Sequence, residues 1–244
     1  MSAEVKIFES PQKLGAGFAA EFASVVNEYT SHKEKINIAI SGGNTPKLFF
    51  NSLTTEYKNK IDWNYVYIYW ADERCVSPED NESNYKMIKE FLLDKITIKS
   101  NNINRIKGEA NPAEEAGRYS ALVKAQLPDV NSLPQFDIML LGLGSDGHTA
   151  SIFPGHLDLF DSEKTCEVAF HPVSGQTRIT ITGPVINNAG TVAFLVTGKK
   201  KAPIVEKLFK KDPDALNYPA SRTVPVFGQL NWLIDRDAAM NLEG

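Results

Sequence analysis

The sequence predicts an α/β fold with a mostly parallel sheet. Four short runs are almost continuously apolar, as strands covered on both faces are: INIAI (36–40), VYIYW (66–70), FDIMLLG (136–142) and TVAFLVTG (191–198). Helical patterns separate these runs, and strands that alternate with helices form parallel sheets. The 244 residues contain no linker rich in proline, glycine and serine, so we expect one domain over 1–244.

The helical patterns occupy four segments: 14–29, 83–95, 111–127 and 200–211. In the first segment, helical spacing places on one face Leu14, Phe18, Phe22, Val25 and Tyr29. The third segment begins with Asn111 as its cap and Pro112 in the first helical position. TRITIT (177–182) alternates polar and apolar residues instead, which predicts an edge or half-exposed strand.

The composition argues against several classes of function. A net charge of −4 disfavours broad binding of nucleic acid, so an anionic ligand would need a local basic pocket. Cys75 and Cys166 form no CxxC pair, which is typical of reduced thiols in the cytosol. The N-terminus lacks the apolar run of a signal peptide, and no run approaches membrane-spanning length. We therefore expect a cytoplasmic protein without nucleic-acid or membrane partners. We also expect a monomer or weak homo-oligomer, a state that the composition does not determine.

The unusual residues follow the four predicted strands at the points where they end. SGGNTP follows 36–40, ADER follows 66–70, LGSDGH follows 136–142 and KKK follows 191–198. Open parallel sheets bind ligands at the carboxyl ends of their strands. If the four strands are adjacent, these segments meet at one edge of the sheet and form one site.

The SGGNTP loop leads into a helix that we expect to start at Pro46. Gly42 and Gly43 would let the backbone approach a ligand, and N–H groups at a helix start point at an anion. Ser41 and Thr45 add hydroxyl donors. The loop either binds an anion or is a plain strand-to-helix turn, and its shape alone leaves both open. The P-loop pattern GxxxxGK[ST] is absent from it.

The segment GLGSDGHTASIFPG (142–155) carries the most specific pattern. A lone histidine is more often structural, but three glycines remove side-chain bulk around His148: Gly142, Gly144 and Gly147. Asp146 is close enough in sequence to orient the imidazole ring. Because an imidazole titrates near neutral pH, it suits general-base work. We therefore interpret Asp146 and His148 as a catalytic pair.

Three further segments carry charge and have simpler explanations. Asp72, Glu73 and Arg74 could form a solvated turn, although their position at a strand end favours a site. The lysines of 199–201 most simply form a solvated helix start, and an anionic partner for one of them is the alternative. Arg222, in PASRTV, would mean little alone.

Taken together, the segments resemble the 6-phosphogluconolactonases, hydrolases of the oxidative pentose phosphate pathway. The matching stretches are SGGNTPKLFF, WADERCVSPEDNESNYKM, LLGLGSDGHTASIFPG, RITIT, LVTGKKKA and PASRTV. The pair DER and GxGSDGHTASxFP is the specific part. The resemblance implies a Rossmann-like, three-layer α/β fold similar to that of the glucosamine-6-phosphate deaminases, ribose-5-phosphate isomerases and CoA transferases. Two small departures are Asn44, where Ser is common, and the absence of a proline-rich lead to Arg178.

Two other functions remain as alternatives. The sugar-phosphate deaminases look similar around SGG and GxDGH, but they carry DEY for DER and a HIAFNEPG-like continuation for HTASIFPG, whose glutamate has no counterpart here. A non-catalytic sugar-phosphate-binding protein on the same fold could keep the loop and lose the base. The presence of both Asp146 and His148 favours the enzyme over that protein.

The hydrolysis of a sugar-phosphate lactone needs few groups. His148 would activate water and return the proton to the ring oxygen, while Asp146 holds the imidazole. The sequence contains no G-x-S-x-G elbow, and this argues against an acyl-enzyme intermediate. We expect no metal and no cofactor. The expected substrate-binding residues are Ser41, Gly42, Gly43, Thr45, Asp72, Arg74, Arg178, Lys201 and Arg222, of which Arg74 and Arg178 are included because the resemblance implies that they line the pocket. Of these, the candidates for the 6-phosphate are Gly42, Gly43, Thr45, Lys201 and Arg222.

Overall fold

A computed structural model of the chain describes residues 3–210 and 212–242. Lys211, the last residue of the expected helix over 200–211, lies outside the described residues, as do both ends of the expected domain 1–244. Within the described ranges, no helix combines the length and the hydropathy that a membrane span requires.

The strands are distributed along the whole length of the described chain. In order they are β1 Glu4–Phe8, β2 Ile36–Ile40, β3 Val66–Trp70, β4 Asp72–Arg74, β5 Ile103–Asn104, β6 Asp129–Val130, β7 Leu133–Pro134, β8 Ile138–Gly142, β9 Cys166–Phe170, β10 Thr177–Ile181, β11 Thr191–Val196 and β12 Gln229–Asp235. Among residues 3–210 and 212–242, seven strands form one sheet in the order β1-β12-β11-β8-β2-β3-β5. Every pairing in it is parallel, which confirms the predicted fold class.

The helices of the described residues are α1 Pro11–Ser31, α2 Asn44–Glu56, α3 Asn84–Phe91, α4 Pro112–Gln126, α5 Gly183–Asn187, α6 Ala202–Phe209 and α7 Arg236–Ala239. Among them, α1, α3, α4 and α6 match the four predicted segments with small shifts and α2 follows the SGGNTP loop as expected, whereas α5 and α7 were not predicted. The Asn111 side chain caps α4 as predicted, accepting from the backbone N–H groups of Ala113 and Glu114. The expected start of α2 at Pro46 is wrong by two residues, because Gly43 is its cap. In α1, Val25 is exposed and Val26 takes the buried position.

The four predicted strands are neighbours in the sheet, in the order β11-β8-β2-β3. In register, Ile40 of β2 lies beside Leu140 on one side and Trp70 on the other. Most of their residues are buried, as the continuous apolar runs predicted. Their carboxyl ends therefore meet at one edge of the sheet, and the loops that carry the polar motifs lie there.

A second, antiparallel sheet has the order β4-β10-β9 and stands beside the main sheet. The expectation that TRITIT forms an edge or half-exposed strand is wrong, because β10 lies between two partners. Ile179 and Ile181 are completely buried in the core, and Thr180 and Arg178 are buried on the opposite side of the strand. The polar face of β10 thus meets a polar interior and not solvent.

Aromatic packing fixes α1 and α2 against each other. Phe18 and Phe22 of α1 contact Phe49 of α2, with ring centroids 4.8 and 5.2 Å apart. Burying each phenyl side chain contributes roughly 1.5–3 kcal/mol. This contact anchors the helix whose first turn enters the polar edge of the sheet.

Candidate active site

A cavity of about 290 Å³ opens at the carboxyl edge of the main sheet. Its walls come from the loops after β2, β3, β8 and β11, together with β10 and the first residue of α3. Of the predicted site residues, the cavity brings together Ser41, Gly42, Gly43, Thr45, Asp72, Arg74, His148, Arg178 and Lys201. The tertiary structure thus collects residues that lie up to 160 positions apart in the sequence.

Asp146 and His148 form the predicted pair. Asp146 Oδ1 lies 2.6 Å from His148 Nδ1 and also accepts the backbone N–H of His148 at 3.2 Å. Partial burial of Asp146 opposes its ionisation, but the hydrogen bond from His148 and the charge of His148 outweigh it and lower the pKa of Asp146 to about 2. Since Nδ1 is engaged by the carboxylate, Nε2 is the ring nitrogen that remains for a proton from the cavity.

Gly144 makes room for the pair, and the other two glycines of this segment have different surroundings. A Cβ on Gly144 would lie 2.1 Å from His148 Nδ1 and 2.4 Å from Asp146 Oδ1, so only glycine leaves room for their hydrogen bond. Gly147 has a φ of +84°, and a Cβ there would meet the Tyr218 ring at 2.7 Å. A Cβ on Gly142 would meet nothing within 4 Å, so that position faces open space in the cavity.

The glycine loop presents the N-terminus of α2 to the cavity. Gly43 is the cap residue with a φ of +124°, and among the described residues no side-chain cap hydrogen bond occupies the first N–H groups of this 13-residue helix, those of Asn44 and Thr45. Those N–H groups are therefore available to an anion. Gly42 has a different reason to be glycine: a Cβ there would lie 1.8 Å from Asn84 Oδ1. Ser41 Oγ is buried and has no hydrogen-bond partner among the described residues.

Three cations line the cavity against one carboxylate, counting only lining residues that the structure describes: Arg74, Arg178 and Lys201 against Asp72. Arg74 and Arg178 are opposite each other in the register of β4 and β10. Burial lowers the pKa of Arg178, and the neighbouring charge of Arg74 lowers it further. Burial also lowers the pKa of Lys201, which the charge of Asp146 partly offsets. An acidic protein thus contains the local basic pocket that an anionic ligand requires.

Asp72 is held by two residues that the sequence analysis did not single out. Its Oδ2 accepts from Ser151 Oγ at 2.7 Å, and its backbone carbonyl accepts from Asn84 Nδ2 at 2.9 Å. Both partners are buried, and Asn84 also lines the cavity. Their only sequence signal is membership of the stretches NESNYKM and GHTASIF.

Glu73 of β4 contacts the first residues of α3 and does not line the cavity. Its carboxylate accepts backbone N–H groups of Asn84 and Tyr85, both at 2.7 Å, and of Arg74 at 2.8 Å. Burial raises the pKa of Glu73 to about 7, although these hydrogen bonds oppose the change. The middle residue of the DER motif therefore fixes the first turn of α3 and, with it, the place of Asn84.

Arg222 departs from the expectation, because it is absent from the described cavity lining. It ends a 3₁₀ turn, Pro219–Arg222, that packs against the Gly147 loop through the hydrogen bond from Ala220 N–H to Gly147 O. Its guanidinium lies 3.6 Å from the Asp161 carboxylate. The sequence could not reveal this contact, because Asp161 lies 61 positions away in the chain.

No three histidine, cysteine or carboxylate side chains converge as a metal site would require within residues 3–210 and 212–242. The residues at the cavity offer an imidazole held by a carboxylate, a helix N-terminus and three cations.

Comparison with known proteins shows which family the chain is similar to. The model of the family described as glucosamine-6-phosphate isomerases/6-phosphogluconolactonase matches residues 9–232. The chain belongs to this family. A 6-phosphogluconolactonase of Aggregatibacter actinomycetemcomitans is 40% identical over 212 residues, which cover 86% of this chain and 89% of that protein.

Two solved structures that are similar to this chain have the same fold. The 6-phosphogluconolactonase from Trypanosoma brucei is 27% identical, with a TM-score of 0.87 and coverage of 99% of both chains. A monomeric glucosamine-6-phosphate deaminase is 22% identical, with a TM-score of 0.82 over 98% of this chain and 99% of that one. The likeness to the deaminase concerns the fold alone.

Proposed function

We propose that this protein hydrolyses 6-phospho-D-glucono-1,5-lactone to 6-phosphogluconate, a step of the oxidative pentose phosphate pathway. The observation that carries the proposal is the Asp146–His148 pair at a cavity that also holds three cations. The relatives named for this activity, at up to 40% identity in the comparisons above, support it. The deaminase alternative is not favoured, because this chain has no counterpart of the glutamate in the HIAFNEPG-like segment of the deaminases.

In this reaction His148 acts as the general base. Its Nε2 takes a proton from water as the water oxygen attacks the C1 carbonyl carbon of the lactone. The tetrahedral intermediate then breaks its bond from C1 to the ring oxygen, and His148 returns the proton to that oxygen. Asp146 stabilises the imidazolium that forms between the two steps and keeps Nδ1 protonated. Its low pKa of about 2 keeps the carboxylate ionised throughout.

The 6-phosphate binds between the start of α2 and Lys201 in this proposal. Thr45 Oγ1 lies 2.8 Å from Thr197 Oγ1, so the glycine loop and the loop after β11 are joined above the end of β8. The N-terminal N–H groups of α2, the unpartnered Ser41 hydroxyl and the Lys201 ammonium then face one anion. Arg222 is not part of this site, since its guanidinium lies at Asp161.

Arg74 and Arg178 are then left for the developing charge on the C1 oxygen. They stand side by side on β4 and β10, and Arg178 is connected to the base through the Phe153 ring. Donors fixed in advance of the reaction stabilise an oxyanion without the cost of reorienting solvent. Asp72, held by Ser151, is available to a hydroxyl group of the sugar.

The test is hydrolysis of freshly prepared 6-phosphogluconolactone by the purified protein, with the spontaneous rate subtracted. Turnover well above the spontaneous rate supports the proposal. Release of ammonia from glucosamine 6-phosphate would support the deaminase instead. Tight binding of 6-phosphogluconate without turnover of either compound would support the non-catalytic sugar-phosphate-binding protein.

We further propose that residues 1–244 form one domain, because β1 and β12, near the two ends of the described chain, pair within the same sheet. A cytoplasmic location is proposed from the two free cysteines, Cys75 and Cys166. The expected monomer or weak homo-oligomer is tested by sedimentation velocity over a range of protein concentrations.

A further inference from the structure

Phe153 is a completely buried phenylalanine whose ring contacts His148 and Arg178 of the cavity wall. Its ring centroid is 4.7 Å from that of His148 and 5.0 Å from that of His171. The guanidinium carbon of Arg178 lies 5.4 Å from the same centroid. Two residues that line the cavity therefore meet through one phenyl ring that does not line it.

The chain between His148 and Phe153 is folded so that the ring returns to the histidine. Thr149 and Ile152 exchange two backbone hydrogen bonds across a tight turn, with N···O distances of 3.3 and 2.9 Å. Ala150 within it has a φ of +47°, a conformation that side chains rarely adopt. Ser151 ties the same turn to Asp72. The position of Phe153 is therefore fixed by the backbone and by a buried hydrogen bond.

His148 and Arg178 each lack a full set of other contacts. The His148 side chain is 28% exposed and is tied at one atom, Nδ1, to Asp146. Arg178 is buried without a carboxylate within salt-bridge distance among the described residues, and its hydrogen bonds go to Gln176 at 3.1 Å and Ser151 at 3.5 Å. An aromatic face attracts a cation within about 6 Å of its centroid. Such a face is thus a natural neighbour for a guanidinium that has no carboxylate in direct contact.

We propose that Phe153 is a positioning residue that Arg178 anchors and that holds the His148 ring in the orientation in which Nε2 faces the substrate. The proposal rests on the proposed hydrolysis by His148. A single hydrogen bond at Nδ1 lets the imidazole tilt, and the phenyl ring on its side removes that freedom. When His148 carries the proton, its positive charge also forms beside an aromatic ring, which favours the charged state.

The first test compares Phe153→Leu with Phe136→Leu. Phe136 is equally buried but packs against Tyr69 just before β8, away from the cavity. Because small misplacements of a reacting group can cost about 100-fold, Phe153→Leu should lower kcat about 10- to 100-fold. Phe136→Leu should keep kcat near wild type while lowering the Tm. Phe153→Met, which better preserves volume, repeats the measurement if the leucine variant does not fold. A wild-type kcat in a folded Phe153 variant overturns the proposal.

A double-mutant comparison separates positioning from general damage. In His148→Ala there is no ring to orient, so adding Phe153→Leu should change the residual kcat by less than about threefold, as expected when one residue acts through the other. A loss of the same 10- to 100-fold in both backgrounds would show that Phe153 acts on the structure at large, and the proposal would fail.

Proton NMR of the histidine rings gives a readout that does not depend on activity. The chain has four histidines, and the resonances missing in His148→Ala identify His148. In Phe153→Leu these resonances should shift by a few tenths of a ppm as the ring current is lost, and those of His32 should stay in place. Unchanged His148 resonances overturn the proposal. If the wild type hydrolyses no lactone, the proposed function fails while the NMR change still reports the contact.

Discussion

Replacing Lys201 by methionine should make the protein a poorer enzyme for the phosphorylated lactone alone. Lys201 is half-buried at the cavity wall, and its loop is joined to the start of α2 by the contact between Thr45 and Thr197. Methionine keeps most of the length of the side chain and removes the charge and its hydrogen-bond donors. The variant therefore tests one interaction with little change of shape.

The size of the effect follows from the one interaction that is lost. A hydrogen bond to a charged group contributes about 1.5–3 kcal/mol, and each 1.36 kcal/mol is tenfold in rate. The kcat/KM for 6-phosphogluconolactone should thus fall about 10- to 150-fold. Glucono-δ-lactone lacks the phosphate and therefore makes no interaction with Lys201 that the substitution could remove. Its kcat/KM should change less than about twofold.

Lys200→Met is the matched control. Lys200 lies in the same turn, Lys199–Lys201, but is exposed and outside the cavity lining. The assay measures kcat/KM for both lactones in the wild type and both variants, with spontaneous hydrolysis subtracted. An equal loss for both lactones in Lys201→Met, or the same loss in Lys200→Met, would refute the placement of the phosphate at Lys201.

Three further predictions concern the base, the buried carboxyl and metals. His148→Ala should lower kcat about 100- to 10,000-fold with a smaller change of KM, and a near-normal kcat in the folded variant would remove His148 from its role. Because the pKa of Glu73 is raised from 4.5 to about 7, the folded state holds a proton that the unfolded chain releases in this window. Stability should therefore fall by up to about 3 kcal/mol between pH 5 and pH 8 on account of this group. Urea unfolding should show a smaller fall in Glu73→Gln, and an unchanged fall would contradict the assignment. Activity should survive exhaustive treatment with EDTA; loss that one divalent ion restores would defeat the metal-free mechanism.

Local patterns were sufficient for the elements that position the site. The apolar runs 36–40 and 66–70 coincide with β2 and β3, residue for residue, because burial on both faces leaves a continuous signal in the chain. The cap of α4 was also readable, since a cap is an interaction between residues two or three positions apart. In contrast, β1 and β12 were not predicted, and their place at one side of the sheet depends on pairing with distant strands.

The long-range contacts changed the meaning of several motif residues. Gly42 was expected to let a ligand approach the backbone closely. In the structure its neighbour is Asn84, which lies 42 positions away in the sequence. The alternation in TRITIT predicted an edge or half-exposed strand, whereas Arg178 and Thr180 are buried in contact with Ser151. Arg222 looked like a phosphate ligand, and its turn leads it to Asp161. A sequence pattern records that a position is constrained, but not by which partner.

By itself the sequence determined the α/β class, the strands whose ends carry the motifs, and the Asp146–His148 pair, because each depends on residues close together in the chain. The tertiary structure alone decided which cations share the cavity, what holds Asp72, and that Phe153 lies between His148 and Arg178. Those facts depend on the strand order β11-β8-β2-β3 and on the second sheet beside it. Side chains from separate strands meet only when the sheets are assembled, so no local pattern could have shown them.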